Sequence, residues 1–327
     1  MKKSYISFSV ILICGLILAA CTPQSQPQAP QPPAVEVPTT QPQATEPPTA
    51  VPVSPAPSPT VAAPSIKHTD VPGDLPAKGG LNLGDNTITS QADKQRALNG
   101  DGFTDGRLER PFNADTMDVF SQFLDITGAT FYADDATWVY SNITLAGVDA
   151  NNALSGKYGL ELDLNQDGRG DFLILADHPS SKDWTTDGVQ VFSDANHDVG
   201  GSRPFVSDST ATGDGYETLV FDQGKGDDPD IAWVRLNSND PNSIQFAFKK
   251  SLINNEKTFL VGVWAGADLN PALFDYNDHF THAQAGAALK SLTEFYPIKA
   301  VFNIDNTCRL GIGFTPAGNV PGACPTK

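Results

Sequence analysis

The chain has 327 residues, with 38 acidic against 21 basic side chains and a net charge of −17. A balance of that sign argues against nucleic acid or an anionic lipid surface as a partner and suits a protein that collects cations. Composition shifts twice along the chain, giving a leader at 1–20, a proline-rich stretch at 21–75 and a larger segment at 76–327.

The leader comes first. Lys2 and Lys3 make a short positive start, and Ile6 to Ala20 is almost wholly apolar, the layout of a secretory signal and too short for a membrane span. The run closes on Leu18, Ala19, Ala20 and Cys21, which resembles the lipobox of bacterial lipoproteins. That resemblance implies cleavage before Cys21, diacylglycerol on its thiol and a further acyl chain, such as palmitate, on the new amino terminus. Two or more chains anchor stably where one is marginal, so the mature chain is expected at the cell membrane or cell surface, facing outside the cytoplasm. The alternative is an ordinary cleaved signal with an incidental cysteine.

From Thr22 to about Pro72 the chain holds 15 of its 26 prolines, among Gln, Thr, Ala, Val and Ser. Proline removes backbone donors, and the scarcity of large apolar residues leaves nothing to offset ordering entropy, so a tether is predicted. At roughly 3.1 Å per residue its full extension is on the order of 150 Å. It reads equally well as a spacer that lifts the head from the membrane and as a linker whose length matters little.

Setting aside the three basic and four acidic residues before position 76 leaves 18 and 34, so the head keeps a net charge of −16. Its acid excess is mostly aspartate, a loop residue and an oxygen ligand. Period-two segments bounded by Asp, Asn, Gly and Pro predict strands at 129–132, 137–145, 158–164, 172–176, 188–192, 217–221, 231–236, 243–249, 258–264, 298–303 and 309–314. Helical periodicity is confined to Met117–Leu124 and Thr281–Leu292. The fold class is therefore mainly β: an antiparallel β-sandwich with long acidic loops and one or two short helices.

The chemistry-bearing segments follow in chain order. Asn99, Asp101, Gly102 and Asp105 reproduce half of a calcium loop, but Ala97 stands where the first ligand belongs, and a turn is predicted. Tyr132, Ala133, Asp134 and Asp135, followed by Trp138, Val139 and Tyr140, are weakly similar to one hairpin of the family 9 carbohydrate-binding and DOMON-type sandwiches; the resemblance assigns no binding residue.

Next comes the strongest motif. Asp163, Asn165, Asp167, Gly168 and Asp171 stand at relative positions 1, 3, 5, 6 and 9. Alternate oxygen-bearing side chains can converge on a cation, Gly168 permits the sharp turn, and the Arg169 carbonyl offers a further oxygen. Calcium is the predicted cofactor; an Asn-x-Asp-Gly turn without metal is the alternative. Ile174 at position 12 and the flanking alternation exclude an EF-hand, and the loop resembles those of integrin-type FG-GAP repeats.

Trp184 lies in a polar loop, where its ring is a candidate for stacking on a sugar. Asp194, Asn196 and Asp198 repeat the first half of the calcium spacing, with Val199 in place of glycine. The stretch Asp222–Asp230 has many carboxylates but no set spacing and reads as a solvated loop. His279 and His282, beside Asp275 and Asp278, could hold a metal, but Thr281 and Gln284 read better as a helix capping box. Cys308 and Cys324, the remaining thiols, are predicted to form a disulfide, with metal binding by the pair as the weaker option. No catalytic motif is found, so the expectation is a non-catalytic surface lipoprotein that binds glycan or another envelope component. The alternative is a carbohydrate-active hydrolase using carboxylates that spacing does not reveal.

Overall fold

The structure, a computed structural model, describes residues 66–85, 101–114, 116–200, 213–289, 292, 297–318, 320 and 322–325. The lipobox with Cys21, the tether as far as residue 65, and Ala97 and Asn99 lie outside the described residues.

The strands, in chain order, are β1 (Leu81–Gly84), β2 (Glu109–Arg110), β3 (Ile126–Tyr132), β4 (Trp138–Leu145), β5 (Lys157–Asp163), β6 (Phe172–Asp177), β7 (Val189–Ser193), β8 (Thr218–Asp222), β9 (Lys225–Gly226), β10 (Ala232–Leu236), β11 (Ser243–Lys249), β12 (Phe259–Gly266), β13 (Ile304–Asn306) and β14 (Leu310–Ile312). They build two antiparallel sheets: a smaller one in the order β1-β3-β4-β11-β10, and a larger one in the order β2-β13-β12-β5-β6-β7-β8-β9, with β14 also paired to β12. The predicted β-sandwich is what forms.

Alternation explains the packing. In β5, Tyr158, Leu160 and Leu162 enter the core between the sheets, where they meet Phe131, Ile143, Val234 and Phe246 of the smaller sheet. Each fully buried side chain of this size contributes about 1.5–3 kcal/mol. The intervening positions of β5 point to the opposite face, as the strand period requires. That outer face is also covered: Leu173, Leu175 and Trp264 pack there under Phe103, Leu108, Phe274, Tyr276 and Val301. A polar side chain on the reverse of β5 is therefore buried between a sheet and a layer of loops.

The smaller sheet is likewise covered on its outer face, by the segment 66–75. Asp230, fully buried, accepts hydrogen bonds from the backbone N–H groups of Thr69 and Asp70, both at 2.9 Å, and lies 2.6 Å from His68 Nδ1. Leu75 packs with Trp138, Tyr140, Trp184 and Trp233. By composition these residues belong to the tether, yet they pack as part of the head.

Three expectations are corrected. Met117–Leu124 forms turns instead of a helix, with Met117 at φ 54°. The helix predicted over Thr281–Leu292 is a single turn, α2 (His282–Ala285), preceded by α1 (Tyr276–His279). The capping box of Thr281 and Gln284 is present, but Gly286 ends the helix at φ 78°, where a Cβ would collide with the Pro297 carbonyl. The strand predicted over 298–303 is irregular and pairing begins at Ile304, because Ile298 instead packs with Phe112, Met117 and Ala288.

Candidate functional site

The two acidic loops that the sequence singles out lie side by side. In the first, fully buried Asp163 accepts the N–H groups of Gln166 (2.6 Å) and Gly168 (3.0 Å), and Asp171 accepts that of Leu164 (2.6 Å). Asn165 and Asp167 accept the N–H groups of Asp167 and Arg169, at 2.9 and 2.8 Å. Gln166 and Gly168 take the left-handed backbone that the turn needs. Burial, only partly offset by Arg309 and these hydrogen bonds, raises the Asp163 carboxyl to about 6.

The second loop repeats the opening geometry. Asp194 accepts the N–H groups of His197 (2.7 Å) and Val199 (3.0 Å), and Val199 replaces the glycine by filling a buried apolar position. Arg169 bridges to Gly200, donating to its carbonyl at 2.8 Å, and His197 lies 3.5 Å from Asp171. Asp198 points elsewhere, toward Asp214. The loops thus pair with each other, and backbone amides hold most of their side-chain oxygens.

Beside the first loop opens a cleft of about 240 Å³, walled by Glu161, Gly168, Asp275, Asn277 and Arg309 with Asp105 and Arg107 at its exposed rim. Glu161 is the reverse-face residue of β5. It accepts hydrogen bonds from Tyr216 Oη and Trp264 Nε1, both at 2.9 Å, and pairs with Arg309 at 3.1 Å. Small residues make the room: a Cβ at Gly170 would overlap the Tyr216 hydroxyl, and one at Gly262 would stand 3.2 Å from the Arg309 side chain.

Arg309 is fixed from two sides. Its Nη1 donates to the Gly168 carbonyl at 2.7 Å, so the tip of the acidic loop forms part of the cleft wall. Its backbone is paired to the segment carrying Gly322 and Cys324, and the predicted disulfide, Cys308–Cys324, closes beside it. Burial opposes its charge, but Glu161 and Asp275 more than compensate and hold the guanidinium pKa above its usual range.

Asp275, the residue before α1, lies 3.6 Å from Arg309 Nη2, the nitrogen that also pairs with Glu161. Burial, reinforced by the nearby Glu161 charge, pushes its carboxyl well above the usual carboxylate range, against the opposing pull of Arg309. Its Oδ1 has no hydrogen-bond partner among the described residues. Nor does either amide atom of Asn277, which is 1% exposed. Buried polar atoms of this kind cost about 1–3 kcal/mol each unless something satisfies them. The cleft therefore presents a fixed cation, a carboxyl with an unpartnered oxygen and an unsatisfied amide.

The other expected residues are spread out. Trp184 is half-buried, with its ring 4.4 Å from the Arg235 guanidinium and its Nε1 donating to the Gly73 carbonyl at 2.9 Å, so it helps hold the 66–75 segment down. His279 and His282 fall on separate helices, and His282 stacks on Phe103.

Asp85, Glu109 and Asp305 were not singled out by sequence. Among the described residues they form the one group of three acidic, histidine or cysteine side chains whose ligand atoms lie within 4.8 Å of one another, a set able to hold a metal ion.

Glu161, Asp275, Asn277 and Arg309 come from β5, the turn before α1, α1 itself and the disulfide-tied segment. The sequence marked Asp275 only as a neighbour of His279 and His282; the other signals were a lone glutamate inside the apolar alternation of β5 and an arginine directly after a cysteine. No protein-family model, curated protein or solved structure matches the chain, so the reading of this site rests on its own geometry.

Proposed function

We propose that the protein is a lipid-anchored, extracytoplasmic binding module whose cleft takes a glycan or another hydroxyl-rich component of the envelope, with calcium at the Asp163 loop stiffening the cleft wall. The observation that carries the reading is the buried Asn277 amide, which faces the cleft with both polar atoms unpartnered beside Arg309 and Asp275. A sugar hydroxyl both donates and accepts, so it can satisfy the amide and the carboxyl together. Calcium would act through the loop, because the Gly168 carbonyl both closes that turn and receives Arg309.

Glycan-array binding by the full-length protein tests this. Asn277→Ala is expected to lower affinity about 10-fold or more, since a lost buried hydrogen bond costs about 1–3 kcal/mol. Wild-type protein that binds no glycan, or an Asn277→Ala variant that binds equally well, would sink the reading.

One observation favours a second reading. Asp275, whose carboxyl burial pushes above the usual range, shares Arg309 with Glu161, and a pair of carboxyl groups with one pKa raised is what glycoside hydrolysis uses. Release of reducing sugar that disappears in Asp275→Asn would favour the hydrolase; binding without release favours the module.

A further inference from the structure

The acidic group formed by Asp85, Glu109 and Asp305 lies where the edges of the two sheets meet. Asp85 follows β1, and its N–H reaches the Thr127 carbonyl of β3. Asp125 immediately precedes β3, and the next residue, Ile126, donates its N–H to Asp305 Oδ2 at 2.6 Å. Glu109 and Asp305 are direct cross-strand neighbours of β2 and β13 in the larger sheet. The carboxylates of Asp85, Glu109 and Asp305, drawn from both sheets, thus face one another at a single seam, with Asp125 nearby.

That seam is dry. Glu109 is 3% exposed, and Asp125 and Asp305 are fully buried. Glu109 Oε1 and Asp305 Oδ1 have no hydrogen-bond partner, and neither residue enters an ion pair, among the described residues. Arg110, the residue after Glu109, alternates to the other face of β2, where it pairs with Asp101 at 2.6 Å. Cross-strand like charges are destabilising even at a surface, and in a low dielectric they are far worse.

A bound cation relieves the repulsion between Glu109 and Asp305. Burial, with Asp125 and Asp85 nearby, pushes Glu109 up to about 10, and burial with Glu109 pushes Asp305 well above the usual range, so both carboxyls are costly to ionise where they stand. An oxygen-only set of several carboxylates is the donor chemistry of a hard divalent ion. Calcium suits it better than magnesium, because calcium accepts many carboxylate oxygens at loose geometry while magnesium keeps its water.

We infer that Asp85, Glu109 and Asp305 bind one calcium ion that clamps the edge of the smaller sheet to the edge of the larger one. The site is separate from the Asp163 loop, shares no residue with it and stands whether or not the cleft binds a glycan. Its role is structural: the ion satisfies the unpartnered oxygens of Glu109 and Asp305, offsets the repulsion between them, and joins two sheets held elsewhere mainly by apolar packing.

The test is thermal unfolding and native mass spectrometry of the full-length chain after chelator treatment, with calcium or magnesium added back. Calcium is expected to raise the wild-type melting temperature by roughly 5–10 °C at 100-fold excess over Kd, and magnesium by much less. Glu109→Gln/Asp305→Asn should lose most of that rise and one bound ion, whereas Asp163→Asn/Asp167→Asn should keep the clamp's share of it. An undiminished calcium response in the first variant would overturn the clamp. Should the double variant fold poorly, Glu109→Gln alone decides. In calcium-free buffer it replaces a carboxyl that is costly to ionise with a neutral amide of the same shape, so it should melt no lower than wild type. A lower melting point there would count against the clamp as well.

Discussion

Two buried clusters of carboxylates lie in this head, and they are neutralised in different ways. In the cleft, Glu161 and Asp275 share a guanidinium that is part of the chain, Arg309, held by a carbonyl and flanked by a disulfide. At the seam, Glu109 and Asp305 pair with no arginine or lysine among the described residues. A covalent cation gives a fixed charge and leaves neighbouring polar atoms free for a ligand. Carboxyl groups that lack one gain stability by taking up a proton or an ion from outside. The contrast divides the molecule into a recognition site and a site whose own stability depends on an exchangeable cation.

The largest way to break that contrast is to remove the built-in cation. Arg309→Ala leaves Glu161 buried and unpaired, which typically costs about 3–5 kcal/mol. Urea unfolding in excess calcium should show that loss, and calcium should not recover it, because the seam is a different site. Recovery by calcium would mean that the two clusters are not independent.

Reduction of Cys308–Cys324 is the next perturbation. The bridge spans 16 residues, and a loop of that length is worth about 3 kcal/mol in the chain-entropy view. Since Arg309 sits beside it, the reduced protein is expected to lose ligand affinity along with stability, while its melting temperature still rises with calcium. If reduction abolished the calcium response and spared the cleft, the division would be drawn in the wrong place.

How much of this was legible in the sequence follows from where each signal resides. Strands such as β4, β5 and β11 announce themselves by alternation, and the disulfide by two thiols left in one segment. The short strands do not. Glu109–Arg110 is two charged residues that read as loop, and it becomes a buried strand only because Asp305 and Arg110's partners are already in place. The Asp163 turn was legible because all of its oxygens lie within nine residues. The seam was not, because single acids at 85, 109 and 305 carry no spacing until the sheet edges bring them together. Glu161 was hidden for a different reason: alternation correctly points it away from the main core, but nothing local says that a second layer of loops buries that face.

The finest test concerns a carboxylate at the margin of the cleft, Asp278, which accepts the Gly200 N–H at 2.8 Å and so ties α1 to the second acidic loop. Burial raises its carboxyl to about 6; Arg169 opposes the shift, while Asp198 and Glu161 add to it. A carboxyl whose pKa is raised in the folded state favours folding when protonated. Its contribution is therefore complete below the unfolded value near 4 and is lost as pH climbs through about 6. The difference amounts to about 2–3 kcal/mol. Asp278→Asn keeps the acceptor for Gly200 without the charge, so the variant should match wild type at pH 4, exceed it at pH 7.5 and show a flatter profile between. The seam carboxylates respond to calcium as well as to protons, so calcium should leave this difference between variant and wild type unchanged. Asp278 thus separates a charge the fold merely tolerates from charges it uses to hold an ion.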